Sequence, residues 1–147
     1  VLEASGQSIT EKQAAHRFED RPYEAMRIGL APGRDELYAG IDRRADRMIE
    51  EGLVEEVQDL LDRGYGEALK PMQSLGYRHM VRHLRGDFDL SEALRLLKRD
   101  TRRYAKRQMT WFGADREMTW FHPGDGDALD EKTHAFLSSP KGARPFM

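Results

Sequence analysis

Residues 89–112 read DLSEALRLLKRDTRRYAKRQMTWF. Asp89 and Glu92 have the spacing of a capping box, so a helix is expected to open there. It should be the longest in the chain and run to about Phe112. At about 100° per residue, Arg95, Arg99, Arg102 and Lys106 share one stripe, with Lys98 and Arg103 beside it. Leu97, Thr101, Tyr104, Gln108 and Trp111 occupy the opposite side, where the helix can pack. Within residues 91–112 the acids are Glu92 and Asp100 alone, so positive charge gathers locally in a chain whose formal net charge is -2. A row of phosphates is a natural partner for such a ridge. Arginine offers phosphate two parallel hydrogen bonds, and exposed aromatic rings give unpaired bases a surface to stack on. A solvated face whose arginines pair with acids such as those of IEEGLVEE (49–56) explains the same composition. Composition alone leaves both open.

The chain has 147 residues, enough for one domain and too few for two ordinary ones. With 39% hydrophobic and 34% charged residues it should build a modest core covered by charged helix faces. It has no cysteine, which excludes a disulfide framework and any cysteine-ligated zinc or iron–sulfur site, and fits a cytoplasmic location. No apolar run approaches the roughly 18 residues that cross a membrane. The opening VLEASGQSIT has no initiator methionine, and residues 1–4 read as the last turn of a helix closed by Gly6. A larger protein continuing upstream is therefore expected.

Toward the N-terminus, residues 8–16 suggest a short helix capped by Ser8 or Thr10, and Arg21-Pro22 ends it. Met26, Ile28 and Leu30 alternate with Arg27 and Gly29 before Pro32, the period of a strand. Leu37, Ile41, Ala45, Met48 and Ile49 recur at helical spacing and stop at Gly52. Leu53, Val57, Leu60 and Leu61 form a second helix ended by Gly64. A loop over 64–72 leads through QSLGYR (73–78) to a short helix, MVRHLR, closed by Gly86. Beyond the long helix, MTWFHP (118–123) alternates like a strand, ALDEKTHAFL (128–137) reads as a terminal helix, and 138–147 as a frayed tail.

Several signals are set aside. His79 and His83 stand four apart, as zinc ligands do, but Met80 follows His79 where a zincin has glutamate. GDGD (124–127) lacks the later ligands of a calcium loop and reads as a turn. There is no G-x-x-x-x-G-K-[ST] loop, G-x-S-x-G elbow or cysteine nucleophile, so no catalytic centre is expected within this chain.

In order along the chain, LEASGQSIT, IGLAPGRDELYAGIDRRADRMIEEGLVEEVQDLLDRG, MQSLGYRHMVRHLRG, TRRYAKRQMTWF and MTWFHP resemble one family. It is the bacterial tRNA dimethylallyltransferases, or tRNA isopentenyltransferases. TRRYAKRQMTWF is very close to that family's T-R-Q-Y-A-K-R-Q-x-T-W-F. Gln7, His79, Arg103 and Gly113 depart from it, standing where lysine, glutamate, glutamine and arginine are usual.

The resemblance implies the C-terminal half of an α/β, P-loop-type enzyme with a parallel sheet, the phosphate-loop half being absent. On its own this half should be mainly α with two short β-strands. Residues 1–22 would end a helical insertion, 23–123 would be the C-terminal part of the core domain with its tRNA-binding helices, and 124–147 the terminal helix and tail. The implied reaction moves a dimethylallyl group from dimethylallyl diphosphate to N6 of the adenosine 3′ of the anticodon. Magnesium, the base and most diphosphate contacts are assigned to the upstream half, so no catalytic residue and no metal ligand is expected here.

The resemblance assigns this half the anticodon stem-loop, through Gln73, Ser74, Leu75, Gly76, Tyr77 and Arg78 and through Lys106, Arg107, Gln108, Met109, Thr110, Trp111, Phe112 and Gly113. Arg78, Lys106 and Arg107 would hold phosphates, while Gln73, Ser74, Gln108 and Thr110 offer hydrogen bonds. Tyr77 and Trp111 would stack on bases or pack, and packing is expected of Trp111 because it lies on the side of Leu97. Arg44 would reach the diphosphate. The protein would be a cytoplasmic monomer with no membrane contact. The alternative is a non-catalytic helical module that binds RNA or another protein.

Overall fold

The structure is a computed structural model that describes residues 24–139 together with Ser8 and Thr10. The helix expected at 8–16, the helix end at 1–4, the break at Pro22 and most of the C-terminal tail lie outside the described residues. Strand β1 (Arg27–Leu30) pairs in parallel with β2 (Met118–Phe121), Gly29 opposite Trp120 and Leu30 opposite Phe121. The alternation in MRIGL does mark a strand, but its buried member is Gly29, and Leu30 is 55% exposed. The reason is steric: a Cβ at Gly29 would lie 2.4 Å from the Trp120 ring, so the indole covers bare backbone. His122, just after β2, accepts the Gly124 N–H on Nδ1, which leaves its Nε2–H to donate to Glu36 at 2.9 Å. That contact ties the end of the sheet to the first turn of the next helix.

The helices fall where the apolar spacing puts them: α1 (Arg34–Glu50), α2 (Leu53–Asp62), α3 (Tyr77–Leu84), α4 (Leu90–Gly113) and α5 (Gly126–Leu137). Gly52, with φ of 98°, turns the chain between α1 and α2 in a conformation that side chains rarely adopt. A 3-10 turn over Lys70–Gln73 carries Pro71 and leads into α3. Asp89 caps α4 by accepting the Glu92 N–H at 2.8 Å. The capping box is only half made, because the Glu92 carboxylate grips Arg95 at 2.6 Å instead of turning back.

The core joins four helices and the turn before α3. Ala45 of α1, Leu53 and Val57 of α2, Met72 of the turn, Met80 and Val81 of α3, and Ala93 and Leu97 of α4 are all buried. All the buried residues of α4 lie in its first third. Helix α3 has eight residues and α4 has 24, spans of about 12 Å and about 36 Å at the usual rise. Past α3, the side of α4 that carried Leu97 loses its cover. Helix α5 buries no residue.

Replacing Gly29 by alanine forces Trp120 or the strand to move and should cost about 1–3 kcal/mol. Urea unfolding followed by tryptophan fluorescence measures it; an unchanged midpoint would mean that the indole does not hold that position.

Candidate nucleic-acid interface

Helices α1 and α4 run antiparallel, and the spacing of their charges matches. Asp42 and Asp46 are four residues apart on α1; Arg102 and Lys98 are four apart on α4. Arg102 holds Asp42 through Nε at 3.0 Å and Nη2 at 2.6 Å, and Lys98 meets Asp46 at 2.5 Å. Arg102 also lies over the Tyr38 ring, 5.7 Å from its centroid. Arg95 pairs with Glu92 and Arg99 with Asp100, at 2.6 and 2.8 Å. Of the two readings left open, pairing with acids holds over most of the ridge. Its acids come from α1 and from α4 itself rather than from residues 49–56. Arg102, which the stripe offered to phosphate, has its guanidinium fork filled by a carboxylate.

The compensation stops after Arg103. Among the described residues neither Lys106 nor Arg107 has an ion-pair partner, and every residue from Lys106 to Gly113 is exposed. Arg107 stacks over Tyr104, 5.8 Å from the ring centroid. Trp111 and Phe112 meet edge to face at 4.7 Å. Trp111 is 73% exposed, so it does not take the expected packing role among the described residues. Its stripe is the one Leu97 follows inward, but α3 has ended before that stripe reaches Trp111. Gln108, placed by the spacing on the packing side, and Met109 are both exposed. The Thr110 hydroxyl donates back to the Lys106 carbonyl at 3.0 Å.

The 73–78 segment meets α4 one step earlier. Gln73 reaches back to the Glu67 and Ala68 carbonyls at 3.4 and 3.5 Å, bracing the loop, and Ser74 is exposed. Leu75 is half-buried, and Gly76 turns with φ of 98° beside Met48 and Leu53. The Tyr77 ring packs against the core and its hydroxyl donates to Glu56 at 2.5 Å, a bond that raises the Tyr77 pKa. Of the two aromatic rings left open between packing and stacking, Tyr77 is the one that packs. Arg78 donates from Nη2 to Asp100 at 3.0 Å. That contact anchors the segment six residues before Lys106, roughly 9 Å along α4.

A cavity of about 330 Å³ opens between the β1–α1 turn and α4, lined by Pro32, Arg34, Leu37, Tyr38, Lys106 and Met109. Its wall is mostly apolar and its two cations carry no paired acid among the described residues. Arg44 is exposed on α1, two turns beyond Leu37 on the same face. Arg34 and Tyr38 escaped the sequence-based site because the cavity forms only when α1 lies along α4. His83 directs Nδ1 to the Phe88 carbonyl at 3.0 Å, and no group of three or more His, Asp or Glu side chains converges among the described residues.

A family model described as IPP transferase matches residues 1–116. The chain belongs to the IPP transferase family. It is 51% identical over 137 residues to tRNA dimethylallyltransferase 2 of Syntrophus aciditrophicus, covering 93% of this chain and 44% of that protein. To the tRNA dimethylallyltransferase of Geobacter metallireducens it is 50% identical over 130 residues, 88% of this chain and 42% of the other. Among solved structures, the full-length tRNA isopentenylpyrophosphate transferase of Bacillus halodurans superposes with a TM-score of 0.72 at 42% identity, covering 83% of this chain and 41% of that one. The Staphylococcus epidermidis tRNA isopentenylpyrophosphate transferase gives 0.73 at 30% identity, covering 94% and 46%. The chain therefore spans less than half the length of each. The family read from TRRYAKRQMTWF and its co-linear neighbours is the family found.

Within this IPP transferase segment, Asp100 is the most perturbed acid. The Arg99 hydrogen bond, helped by His79 and Arg78, holds it down at about 2 against the opposing pull of burial. Its stabilising effect is complete above the ordinary carboxylate value of 3.8 and disappears as pH falls through about 2. That separation is worth on the order of 2 kcal/mol. In acid unfolding followed by circular dichroism, the stability gap between wild type and Asp100→Asn should narrow by that amount between about pH 4 and about pH 2. A gap independent of pH would contradict the assignment.

Proposed function

We propose that this chain is part of a tRNA dimethylallyltransferase and mainly grips the anticodon stem-loop. The full enzyme moves the dimethylallyl group of dimethylallyl diphosphate to N6 of the adenosine 3′ of the anticodon. A bond forms between N6 and the terminal carbon of the prenyl group as the carbon–oxygen bond to diphosphate breaks, and the amine proton passes to a base. Cations must offset charge on the departing diphosphate, and the adenine must leave its stack. Arg44, and Arg34 at the rim of the cavity, suit the diphosphate. The family resemblance assigns the base and the magnesium ion to residues outside this segment. The site of action is the cytoplasm.

One observation carries the RNA role: every cation of α4 up to Arg103 has an acid within reach, whereas Lys106 and Arg107 have none among the described residues and stand beside exposed Tyr104, Trp111 and Phe112. An ordinary solvated face has no need of three large rings in water. Free cations beside open rings are what unpaired RNA uses, phosphates on the first and bases on the second. Phosphate contacts orient the RNA, and Gln73, Ser74 and Gln108 supply donors and acceptors for base edges.

Lys106→Ala and Arg107→Ala should each weaken stem-loop binding and flatten its log–log salt dependence by about 0.7–0.9 per lost contact. Gln108→Ala should erode discrimination between matched and mismatched loops and leave that slope intact. Should both cation variants keep the parent's slope and affinity, the face is ordinary surface. Trp111→Ala should leave the melting temperature unchanged and weaken binding by about 1–3 kcal/mol, the range of one base–aromatic stack. A lowered melting temperature with unchanged binding would return Trp111 to the core.

A further inference from the structure

Arg78 and Asp100 divide their exposure unequally: the carboxylate is 17% exposed and the guanidinium side chain 45%. Arg78 gives Asp100 only Nη2; its other donors have no partner among the described residues. Beneath them lies His79, buried, with Nε2 3.3 Å from the same Asp100 oxygen. Burial lowers the His79 pKa, so its ring is neutral, and with its proton on Nε2 it donates to Asp100 from below. Nδ1 is buried without a hydrogen-bond partner, so the ring's polar contact among the described residues is this one carboxylate. Arg99 at 2.8 Å and Arg103 at 3.6 Å complete the set around Asp100. One negative charge thus gathers three guanidiniums, and two positive charges remain for an outside anion.

We propose that Asp100 is a positioning residue for RNA contact, gripping Arg78 from behind so that its remaining donors face outward in line with Lys106 and Arg107. The inference rests on the RNA-binding role proposed for residues 73–78 and 106–113. A pair serving only stability would saturate the arginine fork, as Asp42 does for Arg102. Here the fork is held by one nitrogen and left open. Because Asp100 sits on α4, the same contact fixes the distance between the two RNA-facing segments. A guanidinium already ordered loses less side-chain freedom when a phosphate arrives.

The test is a double-mutant cycle in the natural full-length chain, reading affinity for an anticodon stem-loop across a salt series, with melting temperatures in parallel. Arg78→Ala should lower the salt slope by about 0.7–0.9. Asp100→Asn should weaken binding about threefold to tenfold, the cost of one newly mobile side chain, and should add nothing once Arg78 is already replaced. If Asp100→Asn is too unstable to measure, Arg78→Lys serves. Its single ammonium keeps the charge but cannot keep the carboxylate and present a planar fork, so its affinity should fall toward that of Arg78→Ala. If Arg78→Ala leaves binding unchanged, the RNA role of this segment fails and the inference with it. If Arg78→Ala weakens binding while Asp100→Asn acts equally with and without Arg78, or while Arg78→Lys binds like wild type, the inference alone is overturned.

Discussion

Asp42 and Asp46 on α1 stand opposite Arg102 and Lys98 on α4, and this antiparallel seam decides what the rest of the molecule can present. Its ion pairs are only partly buried, and pairs of that kind contribute little net stability. Stability comes from the apolar residues that meet across and beside the seam, Ala45 and Leu97 among them. What the pairs do is set register. They do so against a slip of one turn toward the start of α4, which would set Asp46 opposite Leu94 and Arg102 opposite Tyr38, while the apolar contacts oppose the other slip. With the register set, each cation of α4 up to Arg103 has an acid within reach, and Lys106 and Arg107 have none among the described residues.

The seam also brings the start of α1 alongside the last third of α4. Arg34 and Tyr38 then face Lys106 and Met109 across the cavity, close to where β1 ends. On the other side of α4, Asp100 takes hold of Arg78 and with it the loop before α3. The two segments that resemble the family's RNA contacts are thus fastened to one rigid helix rather than to two independent loops. That suits a surface that must hold a folded RNA hairpin in one orientation while chemistry occurs elsewhere.

Much of this was legible in the sequence, and the physical reasons for the gaps are specific. Gly52, Gly64 and Gly86 punctuate the helices because a positive φ suits glycine, and Asp89 caps α4 through a local bond. Signals of this kind act over a few residues and can be read directly. The neutralisation of Arg102 and Lys98 depends on acids far away in sequence, and the four-residue spacing shared by DRRAD and KRDTR becomes meaningful only once the helices are antiparallel. The exposure of Trp111 and the packing of Tyr77 went unread for a similar reason. Periodicity tells which side of α4 carries Trp111, but not that α3 ends before reaching it. Nor does it tell that Tyr77 has Glu56 to receive its hydroxyl. Gly29 looked like a spacer in a strand and proved to be the seat of an indole.

The central claim is that the outer end of α4, beyond Arg103, faces RNA. Ultraviolet crosslinking of an anticodon stem-loop to the natural full-length chain, with the attached peptides mapped by mass spectrometry, tests it most directly. The account predicts crosslinks within residues 104–113, where Tyr104, Trp111 and Phe112 are open to bases, and none on α5. Crosslinks concentrated on α5 or on the outer face of α2, with residues 104–113 untouched, would contradict it.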